Sequence, residues 1–89
     1  MSRKLLFEDA SIEQRDLAIK VRSRLLLDLV NNEYEDVFES STINYKQFNK
    51  QDIYDYLVKE DDVIFFIENR QIKTYTVLVN LLLKMNRNY

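Results

Sequence analysis

Hydrophobic positions recur at helical spacing along most of the chain, and the first clear helix begins after Ser11. Ser11 and Gln14 have the spacing of a capping box, in which the hydroxyl accepts the Gln14 N–H and the Gln14 side chain reaches back. The helix is expected to run to about Val30 and to end at Asn31 and Asn32, because Asn tolerates the left-handed conformation. The apolar positions that predict it are Leu17, Ala18, Val21, Leu25 and Leu29.

The outer face of this first helix carries a row of charges one turn apart. Asp16 and Lys20 begin the row, and Arg24 and Asp28 continue it. Opposite charges at this spacing form salt bridges, so we expect alternating ion pairs along the row. A basic binding edge at Lys20 and Arg24 is the alternative.

Two further helices are predicted in the middle of the chain. A weaker cap at residues 32–35 precedes a short helix that ends near Glu39. Three consecutive hydroxyl residues, 40–42, then indicate a loop, because such side chains compete for backbone hydrogen bonds. Asn49 opens a helix over residues 49–59. The acidic residues 60–62 suit the start of a new element, because negative charge is unfavourable at the C-terminal end of a helix.

Residues 63–79 admit two interpretations. The segments 63–67 and 72–79 are rich in β-branched and aromatic residues, which fit a pleated sheet. They could therefore form a β-hairpin that turns at Asn69 and Arg70. A tight hairpin turn needs positive φ at both turn residues, which Arg70 accepts poorly. We favour helices over the hairpin.

The segment 72–85 is expected to organise the fold, because as a helix it is apolar nearly all round. Such a helix must be buried in its own fold or against another chain. One stripe of this helix predicts a core face, with the residues Ile72, Tyr75, Thr76, Val79, Leu82 and Leu83. Apolar residues beyond that stripe are the candidate protein interface, namely Val77, Leu78, Leu81 and Met85.

These elements predict a mainly α protein, a small compact bundle of four to five helices in a single domain over residues 1–89. Residues 1–10 form an arm that Leu5, Leu6 and Phe7 would pack against the bundle. The absence of Gly and Pro agrees with helices joined by polar connections. The alternative is an α+β, winged-helix-like fold with the hairpin at residues 63–79.

Composition removes most catalytic chemistry. The chain has no Cys and no His, so the usual zinc ligands, thiolate nucleophiles and imidazole bases are missing. Without Gly there is no glycine-rich phosphate loop. We therefore expect no enzymatic activity, no cofactor and no metal site. The apolar segments are too short to span a membrane, which predicts a cytoplasmic protein. Frequent Asn, Ile, Lys and Tyr are typical of AT-rich coding sequence, as in a phage or virus, whose protein would act inside a host cell.

Surplus apolar surface makes protein binding the first functional hypothesis. Six Tyr and five Phe are many for a domain of this size, and aromatic residues are common interface anchors. We expect a small regulator, inhibitor or assembly component whose partner is another protein or a second copy, as in a dimer.

DNA binding is the second hypothesis. Helices over residues 33–39 and 44–58 would resemble a helix-turn-helix in outline, and the second helix would present side chains that read bases or phosphates. The net charge of −7 over residues 28–62 opposes DNA binding. The candidate contacts are Asn44, Lys46, Gln47, Asn49 and Lys50.

Overall fold

The computed structural model describes residues 4–88, and within this range the chain is mainly helical, with no β-strand. The predicted bundle is therefore confirmed. A short 3₁₀ turn at Phe7–Asp9 precedes five α-helices. They are α1 (Ile12–Asn31), α2 (Glu35–Phe38), α3 (Lys50–Lys59), α4 (Val63–Glu68) and α5 (Thr74–Arg87).

Helix α1 begins as the sequence predicts and ends in a different way. The Ser11 hydroxyl accepts the Gln14 N–H at 3.1 Å, and the Gln14 side-chain oxygen accepts the Ser11 N–H at 2.9 Å. At the other end, the prediction of a left-handed Asn cap is wrong, because Asn32 is extended with φ −128°. Its backbone N–H and side-chain amide both donate to the Asp28 carbonyl instead.

The left-handed conformations of the described chain lie in the connections. Tyr34, directly before α2, has φ 51°, and Gln47, before α3, has φ 62°. Asn49 then caps α3 in a second capping box, in which Asp52 takes the place that Gln14 has in α1. The predicted helix over residues 49–59 is thus confirmed, with Asn49 as its cap.

The acidic residues before α4 cap the start of this helix, as their position predicts. One carboxylate oxygen of Asp62 accepts the Ile64 N–H, which caps α4, and also accepts the Leu5 N–H. The Val63 N–H donates in return to the Leu5 carbonyl. The ring of Phe7 packs edge-on against Phe66, 6.3 Å between centroids. The described part of the N-terminal arm, residues 4–10, is therefore packed down; residues 1–3 lie outside the described range.

The hairpin alternative for residues 63–79 is wrong, because α4 and the first residues of α5 occupy them. The α4–α5 connection, residues 69–73, is held by Arg24 of α1. Its guanidinium donates to the carbonyls of Asn69, Arg70 and Ile72. A long-range contact of this kind cannot be inferred from local propensity, which is why the β-rich composition misleads.

Asp28, the neighbour of Arg24 in the predicted row of ion pairs, also bonds elsewhere. Its carboxylate accepts the hydroxyl of Thr74 at the start of α5. At these two positions, bonds to the α4–α5 connection and to α5 replace the expected salt bridges. Helix α1 is thus hydrogen-bonded to the α4–α5 connection and to the start of α5.

Helix α5 lies in the core with a face that overlaps the predicted one only in part: Leu82 of the predicted stripe is buried, and Val79 packs against the core. Thr76 of the predicted core stripe is exposed, and Tyr75 and Leu83 are 43% and 41% exposed. The buried face contains three residues that were predicted as a candidate protein interface. Val77, Leu78 and Leu81 are at most 2% exposed. The larger core side chains of the other helices are Leu25, Leu29, Val37, Ile53, Leu57, Val63 and Phe66.

Candidate protein-binding surface

The largest exposures of apolar side chains in the second half of α1 occur beside α3. Leu27 and Val30 are 62% and 63% exposed, although both are aliphatic. Tyr54 of α3 lies next to them, with 36% of its surface exposed. Leu26 is half-buried and the small Ser23 is exposed. We call these five residues the α1/α3 groove.

The groove is concave. All five of its residues line one cavity of about 300 Å³. An adjoining cavity of about 260 Å³ is lined by Val30 and Tyr54 together with Leu29, Lys50 and Gln51. The two cavities are neighbours, because Val30 and Tyr54 line both of them. Both are open to solvent, which suits the side chains of a protein partner better than an enclosed small molecule.

Helix α1 creates the groove because it carries two apolar stripes instead of one. Its first stripe, including Leu25 and Leu29, is buried in the core. At about 100° per residue, the second stripe of Ser23, Leu26 and Val30 lies roughly a third of a turn farther round the helix. Helix α3 has only ten residues, and it turns Ile53 and Leu57 inward. It therefore borders the second stripe without covering it.

The four residues predicted as an interface on α5 are core residues in the structure. Val77, Leu78 and Leu81 are buried, and Met85 is half-buried and packed against the core. They are covered by this chain, so they offer no free surface to a partner. The exposed apolar side chains of α5 lie on its other side, at Tyr75 and Leu83.

Sequence reasoning missed the α1/α3 groove, although a signal for it exists. Ile19, Ser23, Leu26 and Val30 follow at intervals of four, three and four residues, which is the spacing of a second helix–helix seam. The buried stripe of Leu25 and Leu29 alone suffices to predict the helix, so the second stripe adds nothing to that prediction.

The residues predicted to contact DNA do not form the face of a recognition helix. Residues 44–49 are a connection, and α3 begins only at Lys50. Asn44 is fully buried: its side-chain amide donates to the carbonyls of Phe38 and Phe48, and its side-chain oxygen accepts the Phe48 N–H. This side chain fastens the connection and is closed to a ligand.

The other four residues predicted to contact DNA also help to fix the conformation of the main chain. The Lys46 N–H donates to the side-chain oxygen of Asn86, and Gln47 provides the left-handed turn. Asn49 caps α3, and the Lys50 ammonium donates to the Asn32 carbonyl. Among the five, Lys50 alone also lines a cavity of the groove.

A polar cavity lies between the N-terminal arm, α1 and the end of α3. Arg22, Glu8, Glu60 and Asp61 line this cavity of about 390 Å³. The guanidinium of Arg22 lies 4.9 Å from the ring centroid of Phe7 and 5.5 Å from that of Phe66, and these cation–π contacts hold it in place. Within residues 4–88, no group of acidic side chains is arranged to hold a metal ion. This cavity has no set of groups for catalysis.

Three side chains have pKa values that the fold shifts upward. The hydrogen bond from the Tyr75 hydroxyl to Asp36 raises the pKa of Tyr75, and burial raises that of Tyr34. The pKa of Lys84 is raised by its hydrogen bond to the Tyr56 hydroxyl, 3.0 Å away. All three shifts move the pKa farther from neutrality, so none of them creates an acid or base poised for catalysis near pH 7.

Comparisons with known proteins give no match to a family model, to a curated protein or to a solved structure. Among residues 4–88, no helix combines the length and the apolar character needed to cross a bilayer. The candidate surface therefore rests on the geometry of this chain alone.

Proposed function

We propose that this chain is a non-catalytic protein-interaction module, a small regulator, inhibitor or assembly component, which binds a partner protein through the α1/α3 groove. One observation carries the proposal. Leu27 and Val30 are mostly exposed in a cavity that they line together with Tyr54, while the core of the bundle is already filled by other residues. A contiguous, concave apolar surface is typical of a binding site.

The physical gain from covering this groove is large. Burial of apolar surface contributes roughly 25 cal/mol per Å². Full burial of an aliphatic side chain is thus worth about 1.5 to 3 kcal/mol, and Leu27 and Val30 expose most of theirs. Tyr54 adds an aromatic anchor of the kind that dominates alanine scans of interfaces. The groove therefore has the apolar centre that a protein interface needs.

Capture of a partner by variant proteins tests the proposal. The full-length protein carrying Leu27→Glu is compared with the wild type and with Leu83→Glu, a matched charge insertion at an exposed leucine of α5. Circular dichroism confirms that all three are folded. We expect a saturable partner in the expressing cells that binds the wild type and Leu83→Glu and is lost with Leu27→Glu. Equal binding by all three proteins would contradict the groove as the binding site.

A further inference from the structure

We infer that the N-terminal arm exchanges between two copies of this chain, so that the arm of each copy packs on the bundle of the other. This inference concerns a different surface from the α1/α3 groove and goes beyond the proposed function. The partner is a second copy of the chain, and the segment that binds is the arm itself.

The arm lies on the bundle in the manner of a bound peptide. Leu6 pairs with Asp62 as an isolated antiparallel bridge. The Leu5 N–H donates to the Asp62 carboxylate at 3.0 Å, and the Leu5 carbonyl accepts the Val63 N–H at 2.8 Å. Extended peptides bind to folded domains through main-chain hydrogen bonds of this kind, while side-chain contacts provide specificity.

An aromatic side chain anchors the arm. Phe7 packs edge-on against Phe66, and the guanidinium of Arg22 lies 4.9 and 5.5 Å from the centroids of these two rings. We call Arg22 and residues 62–66 the arm seat. None of these contacts requires the arm and the arm seat to belong to one molecule, so the arm of a second copy can form all of them.

The link between the arm and α1 has the form of a hinge. Ala10 and Ser11 alone connect the 3₁₀ turn to α1, and both are extended, with φ −82° and −66°. Short hinges favour the exchange of a segment between copies. Two residues span at most about 7 Å, so exchange requires the N-terminal ends of the two α1 helices to lie close together.

The first side chain of α1 gains from this approach. Ile12 is 70% exposed, the largest exposure of a large hydrophobic side chain among the described residues. Exchange brings the Ile12 side chains of two copies together, and each shields the other from water. The contacts of the arm itself are the same in monomer and dimer, so the gain at Ile12 and the protein concentration favour the dimer.

The charges near the hinge oppose the dimer at low ionic strength. Residues 8–16 carry four acidic side chains and one basic side chain. Two copies of this segment repel each other when the helix ends approach, and salt screens the repulsion. We therefore expect exchange to increase with ionic strength.

Crosslinking of two single-cysteine variants tests this inference, because the natural chain has no Cys. Full-length Leu6→Cys is mixed with isotope-labelled Asp61→Cys, whose position lines the same cavity as Leu6. Leu6→Cys mixed with Asn80→Cys, on the exposed face of α5, measures random collision. Both mixtures are incubated at high protein concentration and high ionic strength, and a short bismaleimide is added. We expect severalfold more crosslinked heterodimer from the first mixture than from the second.

Two further changes separate the arm seat from other contacts. Phe7→Ala in the Leu6→Cys protein removes the aromatic anchor and should lower the yield of heterodimer to that of the collision control. Leu27→Glu in both proteins changes the α1/α3 groove and should leave the yield unaltered. Circular dichroism confirms that each variant is folded, and the comparison of the first two mixtures does not depend on either change.

Equal yields from the two mixtures would overturn the inference, as would a yield that Phe7→Ala leaves unchanged. Loss of the heterodimer with Leu27→Glu would also overturn it, because the two copies would then meet through the groove. The readout does not involve capture of a partner protein. Absence of exchange therefore leaves the proposed function standing, and failure of partner capture leaves the exchange standing.

Discussion

The most consequential single residue for the connection between α2 and α3 is Asn86, a buried amide on α5. It donates to the carbonyls of Leu82 and Ile43 and accepts the Lys46 N–H at 2.8 Å. Asn44, within the connection, also bonds to backbone groups through its side chain. Its side-chain oxygen accepts a further hydrogen bond from the Asn86 amide at 3.3 Å. Two asparagines thus satisfy the polar backbone of a loop that contains no regular structure.

Replacement of this amide by an apolar group should cost far more than its surface area suggests. Asn86→Leu leaves the Ile43 carbonyl and the Lys46 N–H without their partner, at about 1 to 3 kcal/mol for each buried group. We expect the free energy of unfolding to fall by about 3 kcal/mol in urea titration, whereas Asn80→Leu on the exposed face of α5 should change it by less than about 0.5 kcal/mol. A cost below about 1 kcal/mol for Asn86→Leu would show that the amide network does not hold the loop.

Tyr75 should be detectable by its ionisation. The neutral hydroxyl donates to Asp36, which raises the pKa of Tyr75 above 10.0. A raised pKa means that the bond stabilises the folded protein below pH 10 and that this contribution disappears as the pH rises through the folded-state pKa. Absorbance titration of the tyrosines should therefore show a late phase, to which Tyr34 also contributes, and Tyr75→Phe should reduce its amplitude by one tyrosine. An unchanged late phase in the variant would assign that phase to another tyrosine.

At the scale of single elements, helix boundaries were the most predictable feature. The capping boxes at Ser11 and Asn49 are local patterns, because the groups that bond lie three residues apart. The hairpin alternative for residues 63–79 arose from equally local propensities and failed. Its segment is fixed by Arg24, which is 45 to 48 residues away in the sequence. Local signals therefore predicted helix ends and could not predict how the α4–α5 connection is held.

The cap of α1 should make a measurable contribution of its own. Ser11→Ala removes the oxygen that accepts the Gln14 N–H, so we expect a loss of about 1 kcal/mol in thermal or urea unfolding. Ser41→Ala, in the loop before α3, serves as the control and should be neutral. Equal effects of the two changes would mean that the capping box is dispensable.

Arg24 should fix the α4–α5 connection through its shape as well as its charge. Lysine keeps the charge but offers one ammonium in place of a planar guanidinium, so it cannot reach the three carbonyls of residues 69, 70 and 72 together. We expect Arg24→Lys to lower stability by about 1 to 2 kcal/mol and to speed hydrogen exchange at residues 69–74. Arg15→Lys on the same helix should do neither. Unchanged exchange in Arg24→Lys would contradict this role.

At the scale of the whole molecule, the residues of α5 that were expected to exceed the core, Val77, Leu78 and Leu81, are part of it. The segment 72–85 has a narrow polar edge, Lys73, Asn80 and Lys84, and these three residues are exposed in the structure. The structure buries Leu78 and Leu82 and leaves the side with Leu83 partly open. The polar edge therefore indicates the exposed side of α5, and the stripe predicted as its core face was only partly right. Exposed apolar side chains also lie on α1, at Leu27 and Val30.

Stability measurements should separate the core from the groove. Leu81→Ala removes a buried side chain and should cost about 2 to 5 kcal/mol, because a cavity remains. Leu27→Ala should change the free energy of unfolding by no more than about 0.5 kcal/mol, because its side chain is mostly in water. Similar costs for the two changes would show that Leu27 is covered within the folded monomer.

Site-specific photocrosslinking gives the most direct test of the central claim that the α1/α3 groove is where a partner binds. A photoreactive amino acid replaces Leu27 in one protein and Leu83 in another, and both are expressed in the cells in which the chain normally acts. The account predicts a defined crosslink to one partner from position 27 and none from position 83. A crosslink from position 83 alone, or none from either position, would contradict it.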